Sequence, residues 1–282
     1  MDGLLLINKK ENMTSRDVVN IASKKLNTKK IGHTGTLDPL ATGVLVLAIN
    51  KGLKIVEDIT SLDKEYIAEV TLGIKTDTLD ITGNILEEKQ ERVITEEELN
   101  KVLTSFIGEY EMQVPIYSAV KVNGKKLYEY AREGKEVELP VKNVFVHNIE
   151  LLELNDNKIK FKCKVSKGTY IRSLINDICE KLNVIGTMSS LTRTKQGNFD
   201  IKDAVDLDDI NENSKLISLI DSIDLPKIEV DDYLFNKIKN GSKLQNRYNY
   251  DEFAFIFNNE LIAIYIKDPK DFTKVKPKKV LI

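Results

Sequence analysis

Gly32-His33-Thr34-Gly35-Thr36-Leu37-Asp38-Pro39-Leu40-Ala41-Thr42-Gly43 runs directly into Val44-Leu45-Val46-Leu47-Ala48-Ile49, and the fold turns on this stretch. Three glycines, a proline and a lone carboxylate within twelve residues make a shaped loop. The apolar run behind it reads as a strand buried on both faces. Asp38 is therefore offered from a rigid floor. An Asp-Pro pair is also an ordinary helix start, with Asp38 as N-cap and Pro39 in the first turn. A cap, however, needs no glycines upstream. No Gly-Lys-Ser/Thr follows, so the signal for a nucleotide phosphate loop is weak.

Around this loop, 282 residues with 41% hydrophobic and 30% charged content describe a globular protein with room for a large domain and a small one. No apolar run is long enough for a membrane span, no signal peptide is expected, and residues 1–7 read as a first strand. A cytoplasmic location is the corresponding expectation. Cys163 lies in an alternating strand pattern and Cys179 on the apolar stripe of a helix, so both read as reduced core residues. His33 and His147 are the only histidines, and no ligand cluster suggests zinc. The net charge of −2 conceals blocks: residues 1–60, 116–199 and 233–282 carry +3, +6 and +5, and residues 61–115 and 200–232 carry −8 each. The basic blocks suit an anionic polymer if they converge on one face.

Thr14-Ser15-Arg16-Asp17 reads as a capping box ahead of a helix striped by Val18, Val19, Ala22 and Leu26. Tyr66, Ala68, Val70 and Leu72 share one face of a strand, which turns the Tyr66 ring inward. Thr95-Glu96-Glu97-Glu98 reads as a second capping box, with Gly108 closing that helix. Residues 113–126 read as an extended pair about an Asn123-Gly124 turn, and residues 127–135 as a short, exposed aromatic and basic helix. Ser166-Lys167-Gly168-Thr169-Tyr170-Ile171-Arg172 turns from a strand into a helix. Arg172 stands in that helix's first turn, where the dipole disfavours a cation, so it needs a partner. Leu225-Pro226 marks a boundary, followed by a basic, β-rich tail with a hairpin about Asn258-Asn259-Glu260 and too little mass for a core of its own.

Four of these segments, in order, resemble the TruB family of tRNA pseudouridine-55 synthases. They are the 32–43 loop, Asp63-Lys64-Glu65-Tyr66 with the 72–80 segment, Tyr117-Ser118-Ala119-Val120-Lys121-Val122-Asn123-Gly124 with Tyr128-Glu129-Tyr130-Ala131-Arg132, and the 166–172 turn. The chain departs from the family at Lys9-Lys10-Glu11-Asn12, where Lys-Pro-x-Gly is usual, and at Val114-Pro115, where Pro-Pro is usual.

The resemblance implies an α+β pseudouridine synthase fold, with a central mixed, largely antiparallel sheet flanked by helices and loops. It implies a catalytic domain over 1–225, an RNA-gripping insertion at about 113–140, and a small β-rich PUA-like RNA-binding domain over 226–282. It implies isomerisation of a T-loop uridine flipped out of its stack, with Asp38 as nucleophile and Arg172 as its counter-ion. Tyr66 is expected to stack on the base and to assist at the sugar. Tyr170 and Leu191 are expected to wall the pocket, and His33 to stand near the place the base vacates. Lys121, Lys125, Lys126, Tyr128 and Arg132 are the expected RNA grip. The T arm of tRNA is the implied partner of a monomer that needs no obligate protein partner, metal or organic cofactor. Two other readings compete: a non-catalytic tRNA-binding or folding module, and, more weakly, a metal site built from Asp38, Asp77 and Asp80.

Overall fold

The computed structural model describes residues 2–282; Met1, at the head of the expected first strand, lies outside them. The chain enters through β1 (Gly3–Lys9) and α1 (Ser15–Lys25), then β2 (Ile31–His33) and β3 (Thr42–Ile49) on either side of the glycine loop. Helix α2 (Val56–Ser61) leads to β4 (Lys64–Leu72), a small hairpin of β5 (Ile74–Thr76) and β6 (Ile85–Glu88), α3 (Glu96–Thr104) and β7 (Gly108–Gln113). The insertion carries β8 (Lys121–Val122), β9 (Lys125–Lys126) and α4 (Leu127–Arg132). Strands β10 (Val141–Asn155) and β11 (Lys158–Val165), helix α5 (Ile171–Lys181), β12 (Gly186–Gln196), β13 (Phe199–Asp200) and β14 (Val205–Asp206) follow. A second sheet contains β15 (Lys227–Glu229), β16 (Leu244–Gln245), β17 (Glu252–Phe257), β18 (Glu260–Lys267) and β19 (Lys274–Val280), with α6 (Asp232–Lys239) after its first strand.

The central sheet runs β14-β1-β3-β12-β4-β11-β10-β7, with β2 on β3 and β13 on β12. Only the β1–β14 and β3–β12 pairs are parallel, so the sheet is mixed and largely antiparallel as expected. Strand β3 is apolar throughout because both of its faces are covered. Leu45, Leu47 and Ile49 join Val18, Ala22, Leu174 and Ile178 in the core under α1 and α5. Val44, Val46 and Ala48 face the other way and pack with Ile55, Ile59, Leu219 and Ile223, and with Ala254, Ile256 and Ile264 of the second sheet. The C-terminal β unit therefore backs the strand that follows the glycine loop. Its opposite face has an aromatic core of its own, built on Phe253, Phe255, Tyr265 and Ile238, so the expectation that it lacks one is corrected.

Local capping follows the sequence in one helix and departs from it in another. Thr14 and Asp17 form the reciprocal capping box, with bonds of 2.9 and 3.1 Å. Thr95 accepts from the Glu98 N–H at 3.2 Å, but the Glu98 carboxylate is taken by Arg92, so the second box is only half made. The helix-cap reading of Asp38-Pro39 is not realised, since no helix follows and the Ala41 N–H closes a turn on the Asp38 carbonyl at 3.0 Å. In the insertion, pairing is confined to Lys121–Val122 with Lys125–Lys126, and residues 114–120 are irregular. Asn123 and Gly124, with φ of 51° and 81°, make the turn. The C-terminal hairpin turns on two residues, Asn258 and Asn259, with Glu260 already in the strand.

Gly43 is where the glycine loop meets β12. Its φ is +100°, and it pairs with Arg193 so closely that a Cβ would be driven into the Arg193 backbone. Gly43→Ala is expected to destabilise the protein by about 3 kcal/mol, combining backbone strain with a forced shift of the strand pair. Chemical denaturation of the purified variant measures it, and a cost near zero would show that the two strands tolerate separation.

Candidate active site

The glycine loop is held by donors that take up its carbonyls one by one. Ser15 Oγ accepts from the Leu37 N–H at 2.9 Å and donates to the Leu37 carbonyl at 3.2 Å. The Asn12 N–H and Lys9 Nζ both donate to the Pro39 carbonyl, at 2.9 and 3.2 Å. Gln196 Nε2 donates to the Thr34 carbonyl at 3.2 Å, and Arg193 Nη2 to the Gly35 carbonyl at 3.2 Å. Arg193 Nε reaches Val44 O at 2.8 Å, so one buried guanidinium pins both ends of the loop. A loop without regular secondary structure is thereby as fixed as a strand.

Arg172 meets Asp38 across the mouth of α5, with Nε 3.0 Å from Oδ2. The other two guanidinium nitrogens are engaged elsewhere: Nη1 donates to the Thr78 carbonyl at 2.9 Å and Nη2 to the Tyr117 carbonyl at 3.0 Å. The side chain of Arg172 is 5% exposed and that of Asp38 is 37% exposed, so the cation is sealed below and the carboxylate opens above. This is the partner that a cation in the first turn of a helix requires. Leu79, beside the Thr78 carbonyl, has φ of +62°, an uncommon conformation for leucine. Asp77 accepts from the Asn84 N–H and side-chain amide, both at 2.9 Å, and Asp80 Oδ1 accepts from the Thr82 N–H at 3.0 Å. Asp77 also accepts from the Tyr117 hydroxyl at 3.5 Å, and Arg172 lies between Asp38 and Asp80; among the described residues these three carboxylates do not gather into a metal-holding group.

Above the pair is a cavity of about 480 Å³ whose walls include Asp38, Tyr66, Tyr170, Arg172 and Leu191. The sheet register explains the meeting of Tyr66 and Leu191: Tyr66 sits opposite Arg193, and the adjacent inward positions pair Ala68 with Leu191. Burial pushes the Tyr66 phenol up, with Arg193 opposing, and burial likewise raises Tyr170. Both phenols remain protonated at neutral pH. Tyr128 of the insertion also lines the cavity, with Lys126 and Arg132 each 5.3 Å from its ring centroid. Lys125 stands 4.9 Å from the Tyr130 ring and pairs with Glu133, and Lys121 is exposed on β8. His33 is not brought to the cavity. It lies on β2 opposite Leu47, and burial, with Arg193 and Arg16 nearby, lowers its pKa and keeps the ring neutral.

The residues that sequence reasoning missed are the buried donors: Arg193, Gln196, Lys9 and Lys64. A cation at the inward-facing position two after Leu191 was the available signal for Arg193. Lys64 lines the cavity and donates to the Thr60 carbonyl at 2.6 Å. Burial, followed by Arg193 and Lys167, lowers its pKa to about 8.

Lysine in the unfolded chain keeps a pKa near 10.5, so between about 8 and 10.5 the unfolded state holds the extra proton and rising pH favours the fold. Wild type is expected to gain stability relative to Lys64→Met across that window, read from denaturant melts at pH 7 and pH 10; a pH-independent difference would contradict the shift. Arg172→Lys keeps the charge but cannot serve Asp38, Thr78 and Tyr117 together. A loss of about 2 kcal/mol is expected in the same melts.

Residues 23–171 match the TruB family pseudouridylate synthase (N terminal domain), and residues 172–224 match the tRNA pseudouridylate synthase B C-terminal domain. The junction between the two matches falls inside α5, beside Arg172, and both segments contribute to the one central sheet. A tRNA pseudouridine synthase B of Caldanaerobacter subterraneus is 42% identical, with 99% of each chain covered. One of Bacillus cereus is 43% identical, covering 100% of this chain and 98% of its own. Among solved structures, a chain in a Cbf5-Nop10-Gar1 complex superposes with a TM-score of 0.69 at 26% identity, covering 99% of this chain and 85% of that one. With one family match over more than half of its length and full-length relatives above 40% identity, the chain belongs to the TruB family of pseudouridylate synthases.

Proposed function

We propose that this protein is a tRNA pseudouridine-55 synthase, acting on the T-loop uridine with Asp38 as nucleophile. The observation that carries the reading is the Asp38–Arg172 pair, 3.0 Å apart at the base of a cavity walled by Tyr66, Tyr170 and Leu191. The uridine is drawn out of its stack into that cavity of about 480 Å³, because a base still stacked in a duplex cannot present its reacting atoms to Asp38. Tyr66 stacks on the ring and Leu191 packs against it, excluding water from the reacting atoms.

Arg172 sets a buried positive charge against the Asp38 carboxylate and aims it at the cavity. The guanidinium approaches the carboxylate with Nε at 3.0 Å from Oδ2, its Nη1 and Nη2 donating to the Thr78 and Tyr117 carbonyls. The glycosidic bond from nitrogen breaks, the uracil turns, and a carbon of the ring is joined to the same sugar carbon. The geometry serves attack on the sugar or on the base. Lys126, Arg132 and Tyr128, at the cavity rim on the insertion, together with Lys121 and Lys125, supply cationic and aromatic contacts to the RNA backbone. The basic C-terminal β unit is read as a PUA-like RNA-binding domain.

Incubation with unmodified tRNA transcript, followed by carbodiimide treatment and primer extension, is expected to give a single stop in the T loop. Asp38→Asn is expected to give none while binding tRNA with affinity within about threefold of wild type. A folded wild-type protein that binds tRNA without forming pseudouridine would refute the reading in favour of a binding or folding module.

A further inference from the structure

Residues 114–120 carry the insertion from β7 to β8 and press it against the catalytic pair. The Tyr117 carbonyl accepts from Arg172 Nη2 at 3.0 Å. The next residue, Ser118, is fixed through its backbone: its N–H donates to the Ile116 carbonyl at 2.9 Å, and its carbonyl accepts from the Tyr128 N–H at 3.1 Å. Its side chain is treated differently. Ser118 is 6% exposed, and its buried Oγ has no hydrogen-bond partner.

The other buried serines make the contrast. Ser15 serves both backbone groups of Leu37, Ser173 donates to the Gln113 carbonyl at 2.8 Å, and Ser222 to the Leu219 carbonyl at 2.8 Å. A buried hydroxyl left unpaired is unfavourable, and alanine would fill the same place without that cost. Ser118 lines the cavity that holds Asp38, Tyr66 and Tyr170. Its hydroxyl is near enough to the Tyr170 phenol to ease ionisation of that group, yet no bond forms between them.

We propose that Ser118 Oγ is a substrate-contacting group that hydrogen-bonds a polar atom of the flipped uridine, an inference that rests on the uridine-isomerising reading above. The hydroxyl both donates and accepts, so it fits a pyrimidine carbonyl, the ring N–H or a ribose hydroxyl. Its placement has a second consequence. Ser118 follows the residue whose carbonyl holds Arg172, and Arg172 holds Asp38, so seating of the insertion on the nucleotide and aim of the carboxylate are mechanically joined.

The test is Ser118→Ala under single-turnover conditions on a T-arm RNA. Pseudouridine formation is expected to fall about tenfold or more, with tRNA affinity and Tm unchanged, because no bond within the protein is lost. A rate within twofold of wild type, or a Tm lowered by several degrees, overturns the proposal. The same substitution in a Tyr170→Phe background separates direct contact from an effect relayed by Tyr170: an undiminished penalty supports contact with substrate, and a vanished one overturns it. Wild-type turnover in the same series tests the isomerase reading, and the variant-to-wild-type ratio tests Ser118. Replacing the target uridine by 2-thiouridine or 4-thiouridine assigns the atom, since the penalty shrinks where sulfur replaces the accepting oxygen and persists in both when the partner is N–H or ribose.

Discussion

A guanidinium taken out of water must find acceptors for its fork of donors, and at Arg172 that requirement organises the molecule. Its nitrogens reach Asp38, the Thr78 carbonyl and the Tyr117 carbonyl, which belong to three segments far apart in sequence. The glycine loop, the turn after β5 and the root of the insertion are thus set relative to one another by one side chain on α5. Because the fork is planar and rigid, fixing two of its directions on backbone carbonyls fixes the third, and the third is the one that meets the carboxylate. Charge compensation and aim come from the same geometry.

The opposite side of the loop is governed by the same demand from Arg193. That guanidinium is buried between β3 and β12 and binds Gly35 and Val44 across the loop that contains Asp38. One buried arginine thus meets the carboxylate and the other pins the loop that carries it, and both line the cavity. Gly43 permits this by letting the Arg193 backbone approach where a side chain would intervene. The sheet can support such a frame because β1 and β3 are covered on both faces, by the core under α1 and α5 on one side and by the C-terminal sheet on the other. A packed sheet is a stiff platform, and a nucleophile that must meet a flipped nucleotide benefits from one that does not move.

Periodicity made much of the platform legible. The apolar run 44–49, the alternation of Tyr66, Ala68, Val70 and Leu72, and the stripe of α5 each report a buried face, because burial and repeat are linked by backbone geometry alone. The Thr14–Asp17 box was readable for the same reason, since all of its atoms lie within one turn. At Thr95 the same local pattern was incomplete because Arg92 competed for the Glu98 carboxylate. Asp38 and Arg172 were readable as candidates, one from its glycine frame and the other from its awkward place at a helix start, and the resemblance to a family joined them.

By itself, then, the chain's order of residues determined its strands and helices, the loop that offers Asp38 and the need of Arg172 for a partner, since each depends on neighbours within a few positions. Tertiary structure alone decided that Arg172 and Asp38 meet at 3.0 Å, that Arg193, Gln196 and Lys9 hold the loop, that His33 stays outside the cavity and that Ser118 is left unpaired inside it. Those outcomes rest on backbone carbonyls and strand registers brought together from distant parts of the chain. Every residue carries the same carbonyl, so no local pattern marks which one a buried donor will find.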